Sequence, residues 1–123
     1  MNKVSYIDMR HIVLDALYSH LISKPEMNLS YDRVLDYVTY DFESGYSDTE
    51  YLIISFVIYV LCGDFKSSEY LSKILREKLL SIINSNNFIK LISRIEDNDD
   101  KKEFIADLCT AGLISKDNAK TFR

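Results

Sequence analysis

Residues 51–62 constrain the fold more than any other stretch, because they carry no charge and only one small polar residue. Apolar side chains gain free energy when they leave water, so this segment has to be buried. Its ends carry helix signals. Ser47 and Glu50 have the spacing of a capping box, in which both side chains satisfy free backbone N–H groups, and Gly63 stands where helices place a left-handed residue. We expect a central buried helix at about 48–62.

The composition favours further helices around this one. Three Gly and one Pro in 123 residues are fewer than a turn-rich β-sandwich normally contains. A chain of this length can bury one core without help from a metal or a disulfide. We therefore predict an all-α fold: a single compact domain spanning residues 1–123, in which six or seven short helices pack around the central hydrophobic helix.

Helical spacing of apolar residues, together with capping residues and breakers, locates the other helices. Pro25 ends the first of them, because proline cannot donate a backbone hydrogen bond and disfavours the helical conformation in the preceding residue. The predicted helices lie at about 6–23, at 31–43, from a cap at Ser67 or Ser68 up to Asn84, at 88–95, from a cap at Asp99 or Asp100 to Gly112, and from Ser115 to Phe122.

The predicted helix at 31–43 has a clean division into two sides. At 100° per residue, its apolar residues share one side and its acidic residues the other. Residues 37–40 also have strand propensity, which leaves a strand as the alternative for this segment. The apolar side consists of Tyr31, Val34, Leu35, Val38 and Phe42.

The cysteines and the N-terminus indicate a cytoplasmic protein. Cys62 and Cys109 lie within apolar helical patterns, which favours buried, reduced side chains over a disulfide. The first residues lack the uncharged core of an export signal, and the run at 51–62 is shorter than the ~20 residues that span a bilayer. We expect no contact with a membrane.

No pattern of chemistry-bearing residues predicts catalysis. The two histidines and two cysteines have no zinc-ligand spacing, and the three glycines are isolated rather than grouped in a phosphate-binding loop. His11 and Asp15 are four residues apart, so the carboxylate could orient the imidazole, but a surface pair is the simpler interpretation. We predict that the protein is not an enzyme and has no cofactor or metal. Catalysis by His11 is a third, weaker hypothesis.

The segment from Tyr31 to Tyr51 stands out by its composition. It contains five of the nine tyrosines, and residues 32–50 hold six acidic residues against one basic residue. Tyrosine suits protein interfaces, and acidic side chains suit a basic partner. The alternative is that some tyrosines belong to the core and the acids solvate a helix face. The candidate partner-binding residues are Asp36, Tyr37, Tyr40, Asp41, Glu43, Tyr46 and Asp48.

A small, acidic, tyrosine-rich helical protein of this kind resembles the immunity proteins that bacteria pair with nuclease toxins in contact-dependent growth inhibition and colicin systems. The resemblance lies in size, charge and the segment at 31–51, and it implies inhibition by binding. The partner would be a cognate nuclease toxin, expected to be an RNase, whose basic cleft the acidic surface occupies or flanks. The net charge of −4 disfavours direct binding to nucleic acid.

The alternative function is a small helical adaptor or regulator, of the kind found among phage and viral host-interaction proteins. Such a protein receives a helix of its partner in a hydrophobic groove. This hypothesis requires the central helix to line an open groove rather than a closed core.

Overall fold

The computed structural model describes residues 4–23, 47–62 and 69–122, which form six helices. Within these ranges there is no strand, and the β-type pairing is one isolated parallel bridge between Val4 and Ile95. The predicted all-α fold is confirmed, whereas the helix predicted at 31–43 lies outside the described residues. The helices are α1 (Tyr6–Ser23), α2 (Asp48–Cys62), α3 (Glu69–Ile83), α4 (Phe88–Ile92), α5 (Asn98–Thr110) and α6 (Lys116–Thr121).

Helix α2 begins at the predicted capping box. The Ser47 backbone N–H and hydroxyl both donate to Glu50 Oε1, at 3.1 and 2.9 Å, and the Glu50 N–H donates to Ser47 Oγ at 3.3 Å. Because each side chain satisfies a backbone N–H of the other, the first turn of α2 is fixed on both sides. The Thr49 hydroxyl donates to the Leu91 carbonyl at 2.7 Å, which ties this turn to α4.

Helix α2 is buried on nearly all sides, as its sequence predicts. Most of its apolar residues are closed off from solvent by α1, α3, α4 and α5. Ser55, the one small polar residue of the run, is fully buried, and its hydroxyl has no hydrogen-bond partner among the described residues. The buried apolar residues of α2 are Leu52, Ile53, Ile54, Phe56, Val57, Ile58 and Leu61.

An aromatic cluster joins α2 to α1 and α5. The rings of Tyr6, Phe56 and Phe104 lie with centroids 4.7 to 6.5 Å apart, and all three side chains are at most 2% exposed. Tilted and edge-on aromatic pairs at these separations are worth about 0.5–1.5 kcal/mol each beyond the area that they bury. The three helices therefore share one core rather than packing in separate pairs.

The N-terminus of α5 corrects a prediction. The capping residue is Asp97, whose Oδ1 accepts from the Asp100 N–H at 2.9 Å, and not Asp99 or Asp100. The Asp100 side chain instead caps α1: its two oxygens accept from the backbone N–H groups of Tyr6 at 2.5 Å and Ile7 at 2.9 Å. A carboxylate at this position also interacts favourably with the positive end of the α1 dipole.

The C-terminus of α5 forms the predicted left-handed turn. Gly112 has a φ of +77°, and its N–H donates to the Cys109 carbonyl, while the Leu113 N–H reaches back to the Leu108 carbonyl. These two bonds define a Schellman motif, and Leu113, which follows the glycine, is buried. The predicted cap of α6 is also present, since Ser115 Oγ accepts from the Asn118 N–H.

Three details differ from the sequence predictions. Helix α4 ends at Ile92, so Ile95 is not helical; it is fully buried and pairs with Val4 instead. Ile89, one of the apolar residues that form the predicted helix at 88–95, is 61% exposed. Cys109 is a free thiol and is half-buried rather than buried. None of the described helices has the length and apolarity that a bilayer-spanning helix requires.

Removing the Asp100 carboxylate should weaken the fold more than removing the α5 cap. The Asp100→Ala variant loses two charge-assisted hydrogen bonds at a buried position, and we expect a lower free energy of unfolding by about 2–3 kcal/mol. Asp97→Ala removes an exposed N-cap and should cost about 1 kcal/mol. Urea unfolding of both variants measures which of them has lost more free energy of unfolding. An Asp100→Ala variant as stable as Asp97→Ala would contradict the assigned role.

Candidate functional site

The described residues of α1, α2, α3 and α5 enclose a surface groove of about 530 Å³. Its floor is formed by Phe56, Val57 and Val60 of α2, and its apolar wall includes Leu14 of α1 and Ala111 of α5. Volumes of this size and apolar linings are typical of binding clefts in proteins. The groove is therefore the first place to look for a ligand or a packing partner.

Val60 is the most solvent-exposed of the described apolar residues of α2, and it lines the groove. Its side chain is 50% exposed, whereas its neighbours Val57 and Leu61 are 3% and 6% exposed. An isolated exposed apolar residue is ordinary on a protein surface. Val60 is not isolated, because the half-buried Leu14 and Tyr59 line the same groove. The groove thus joins several apolar side chains into one partly solvated patch.

Three polar residues that line the groove, Tyr6, Arg10 and Asp107, form one hydrogen-bonded cluster. The Tyr6 hydroxyl donates to Asp107 Oδ2 at 2.6 Å, and Arg10 Nη1 donates to the same oxygen at 3.0 Å. Arg10 also lies 3.5 Å from Glu103 Oε1, and its guanidinium carbon is 5.3 Å from the centre of the Tyr6 ring. These interactions hold Arg10 over the aromatic cluster by ion pairing and by cation–π attraction.

The Tyr6 hydroxyl is held in its neutral form. Burial raises the pKa of this hydroxyl well above its usual value, and the hydrogen bond to the Asp107 carboxylate raises it further. The nearby Arg10 acts in the opposite direction but does not offset these effects. A phenol with a raised pKa is a poor proton donor to substrate and a poor nucleophile. The arrangement is suited to joining α1 to α5.

The predicted partner-binding residues fall mostly outside the described part of the chain. Asp48 is described: it is exposed, in the first turn of α2, where a negative charge also favours the helix dipole. Glu50 and Tyr51, at the end of the acidic segment, are half-buried. The predicted residues outside the described ranges are Asp36, Tyr37, Tyr40, Asp41, Glu43 and Tyr46.

His11, the residue of the third functional hypothesis, lies in the described part of α1. His11 and Asp15 are both exposed on α1, which agrees with a surface pair. Among the described residues, no group of three or more His, Cys, Asp or Glu side chains could hold a metal ion.

Comparison with known proteins gives no relative. No protein family, curated protein or solved structure matches this chain.

Sequence reasoning missed the polar cluster of Tyr6, Arg10 and Asp107 that lines the groove. Arg10 and Asp107 are separated by 97 positions along the chain, and each looks like an ordinary solvated helix residue. Tyr6 occupies a regular apolar position of α1, which gives no sign of its hydrogen bond to Asp107. A single sequence carries no signal for such a pairing, because the three residues meet only when α1 and α5 pack together.

Replacement of Tyr6 by Phe should change how stability depends on pH. Up to about pH 9 the Tyr6 hydroxyl is protonated in both states, so the wild-type protein keeps the benefit of its bond to Asp107. Above about pH 10, the ordinary pKa of tyrosine, the unfolded chain releases this proton while the folded chain retains it, so the benefit is lost as pH rises.

The measurement is the free energy of unfolding of wild type and Tyr6→Phe in urea at several pH values. We expect wild type to be the more stable below about pH 9, by about 1 kcal/mol, and this difference to shrink above about pH 10. A difference that stays constant across this range would show that the folded protein does not hold the Tyr6 proton more tightly.

Proposed function

We propose that this protein is an immunity protein, which binds and neutralises a cognate cytotoxic nuclease, an RNase in the first instance. The binding surface consists of the acidic and tyrosine residues between positions 36 and 48. The observation that carries the proposal is the concentration of charge: residues 32–50 hold six acidic residues and one arginine. The remaining chain is close to neutral.

The chemistry of a nuclease supports this assignment. An enzyme that holds RNA or DNA needs a basic cleft, since phosphate groups dominate the affinity for nucleic acid. An acidic protein can occupy or flank such a cleft, where its carboxylates take the place of phosphates. Attraction between the acidic surface and a basic cleft raises the association rate by as much as about 10- to 10³-fold at low salt. Tyrosines that lose their water on binding slow dissociation.

The fixed first turn of α2 also favours a binding surface at the end of the acidic segment. The acidic segment leads directly into Ser47 and Glu50, whose reciprocal hydrogen bonds fix the first turn. Thr49 is fully buried, and its hydroxyl donates to the Leu91 carbonyl. Asp48, which lies between Ser47 and Thr49 in the sequence, is exposed. A charge held on a fixed turn loses less conformational entropy on binding than a charge on a free chain.

The groove supports the second candidate function, an adaptor that receives a helix of its partner. Val57 and Val60 of the central helix line it, as that hypothesis requires. Helix-in-groove recognition uses apolar anchors spaced along one helix face. The two candidates differ in the surface that they use, so substitutions in the acidic segment and in the groove distinguish them.

Charge reversal in the acidic segment should abolish fast association with the toxin. We expect the triple variant Asp36→Lys, Asp41→Lys and Glu43→Lys to bind the cognate nuclease domain at least about 10-fold more slowly at low salt. Protection of cells that express this nuclease should be lost. Stopped-flow association rates and a co-expression growth assay measure the two effects.

The matched control reverses three exposed acids on other helices: Asp15, Glu77 and Asp117. This control variant has the same net charge as the test variant, and we expect it to keep most of the association rate and the protection. Equal loss in both variants would mean that net charge matters and the acidic segment does not. Intact binding in a correctly folded test variant would show that the surface is wrongly assigned.

Truncation of the tyrosines should act on dissociation instead. We expect Tyr37→Ala and Tyr40→Ala to raise the dissociation rate from the same nuclease domain by roughly 30-fold each, the equivalent of about 2 kcal/mol for an interface anchor. The association rate should change little, because no charge is removed. Surface plasmon resonance separates the two rates. An unchanged dissociation rate would show that these tyrosines do not contact the nuclease.

A further inference from the structure

Two pairs of a tyrosine and an arginine lie at the groove. Tyr6 and Arg10 belong to α1, and both side chains donate to Asp107 Oδ2, at 2.6 and 3.0 Å. The second pair joins α2 to α3, because Arg76 Nη1 donates to the Tyr59 hydroxyl at 3.1 Å. Tyr59 lines the groove, as Tyr6 and Arg10 do. The same two chemical groups are therefore brought to the groove twice.

The second pair differs from the first because no described carboxylate joins it. Arg10 forms ion pairs with Glu103 at 3.5 Å and with Asp107 at 3.0 Å. Arg76 is exposed, and no carboxylate within the described ranges lies at ion-pair distance from it. A guanidinium has five N–H donors, and the Tyr59 hydroxyl, which accepts from Arg76, still has its own hydrogen to donate. This pair can therefore bind one more acceptor.

The charge on α3 around Arg76 is positive. The exposed charged residues described on α3 are three basic and one acidic: Lys73, Arg76, Glu77 and Lys78. Lys73 and Glu77 are four residues apart, so their charges offset each other on one side of the helix. Ser72, about one turn before Arg76, lines the groove and offers a hydroxyl donor. The α3 side of the groove therefore favours an anion.

Much of the remaining described lining is apolar. Val57 and Val60 of α2 form the floor, Leu14 and Ala111 lie in the wall, and Val60 is 50% exposed. Small-molecule sites of about this volume combine apolar walls with a few polar groups that fix the orientation of the ligand. A ligand that matches this lining has an apolar body and one anionic end.

We propose that the groove is a binding site for a small amphipathic carboxylate, of the class of a medium-chain fatty acid. The carboxylate completes at Arg76 and Tyr59 the arrangement that Asp107 completes at Arg10 and Tyr6. A planar guanidinium matches the two oxygens of a carboxylate, and the apolar chain of the ligand lies on the floor of the groove. This site goes beyond the proposed function, because it uses the groove and not the acidic segment.

Two ligands of equal chain length and different head group test the anionic end. We expect octanoate to bind the full-length protein at least about 10-fold more tightly than octanol, since hydrogen bonds to a charged group are the stronger ones. Methyl NMR spectra titrated with each ligand give both dissociation constants, and the largest shifts should occur at Leu14, Val57 and Val60. Equal affinities, or shifts confined to other residues, would overturn the proposal.

A matched pair of variants separates a local contact from a general effect of charge. Arg76→Gln and Lys73→Gln each remove one positive charge from an exposed residue of α3, so neither should unfold the protein. We expect Arg76→Gln to bind octanoate about 10-fold more weakly with octanol binding unchanged, and Lys73→Gln to change the octanoate affinity by less than about 2-fold. Equal losses in the two variants would contradict the position assigned to the carboxylate.

The apolar floor has its own matched pair. We expect Val60→Ser to weaken octanoate and octanol alike, by about 3-fold, because both ligands lose apolar contact. Ile12 is 41% exposed on α1 and is not among the described residues of the lining, so Ile12→Ser is the control and should leave both affinities unchanged. A loss in Ile12→Ser as large as that in Val60→Ser would place the ligand outside the groove.

The other candidate occupant is the helix of a partner protein. If neither ligand shifts the Val60 methyl signals up to its solubility limit, the groove does not bind small carboxylates, and the proposal is overturned in favour of that helix. Loss of nuclease binding in the charge-reversed variant of the acidic segment should leave the octanoate affinity unchanged. The two proposals therefore fail separately.

Discussion

The carboxylate of Asp100 is the interaction on which the packing of this fold depends. It belongs to α5 but accepts the first two free N–H groups of α1, while its own backbone N–H is bonded to Asp97. Its side chain is 5% exposed, and a buried charge is tolerated only when hydrogen bonds compensate for lost hydration. The start of α1 is therefore fixed relative to the start of α5, which brings Tyr6 and Arg10 to Asp107.

This alignment determines the shape of the groove. With α1 fixed against α5, the ring of Tyr6 packs on Phe104 and Phe56, and α2 lies between the other helices as the shared core. Three polar residues that line the groove, Tyr6, Arg10 and Asp107, bond to one another. What is left beside them is an apolar surface on α2, with Val60 at its most exposed point. The groove is thus a consequence of the same contacts that hold the core together.

The described end of the acidic segment is held by the same fold. The reciprocal hydrogen bonds of Ser47 and Glu50 fix the first turn of α2, and the buried Thr49 hydroxyl ties this turn to the Leu91 carbonyl. Asp48 is exposed on this turn, where its negative charge also interacts favourably with the positive end of the α2 dipole. A charge on a turn that is already fixed loses less conformational entropy on binding than a charge on a free chain, which is the physical basis for proposing that a basic partner binds here.

Local features of this protein follow from the sequence alone. The apolar run at 51–62, the capping box at Ser47, the left-handed turn at Gly112 and the cap at Ser115 each depend on residues a few positions apart, so periodicity and capping rules predict them. The pairing of Tyr6 with Asp107, the choice of Asp97 over Asp99 or Asp100 as a cap, and the groove were decided by tertiary packing. The bond of Tyr6 to Asp107 and the bonds of Tyr6 and Ile7 to Asp100 join residues about a hundred positions apart, so no local pattern predicts them. The cap at Asp97 is local, but an aspartate in a sequence carries no mark of which helix end it will cap, and Asp100 is occupied by α1.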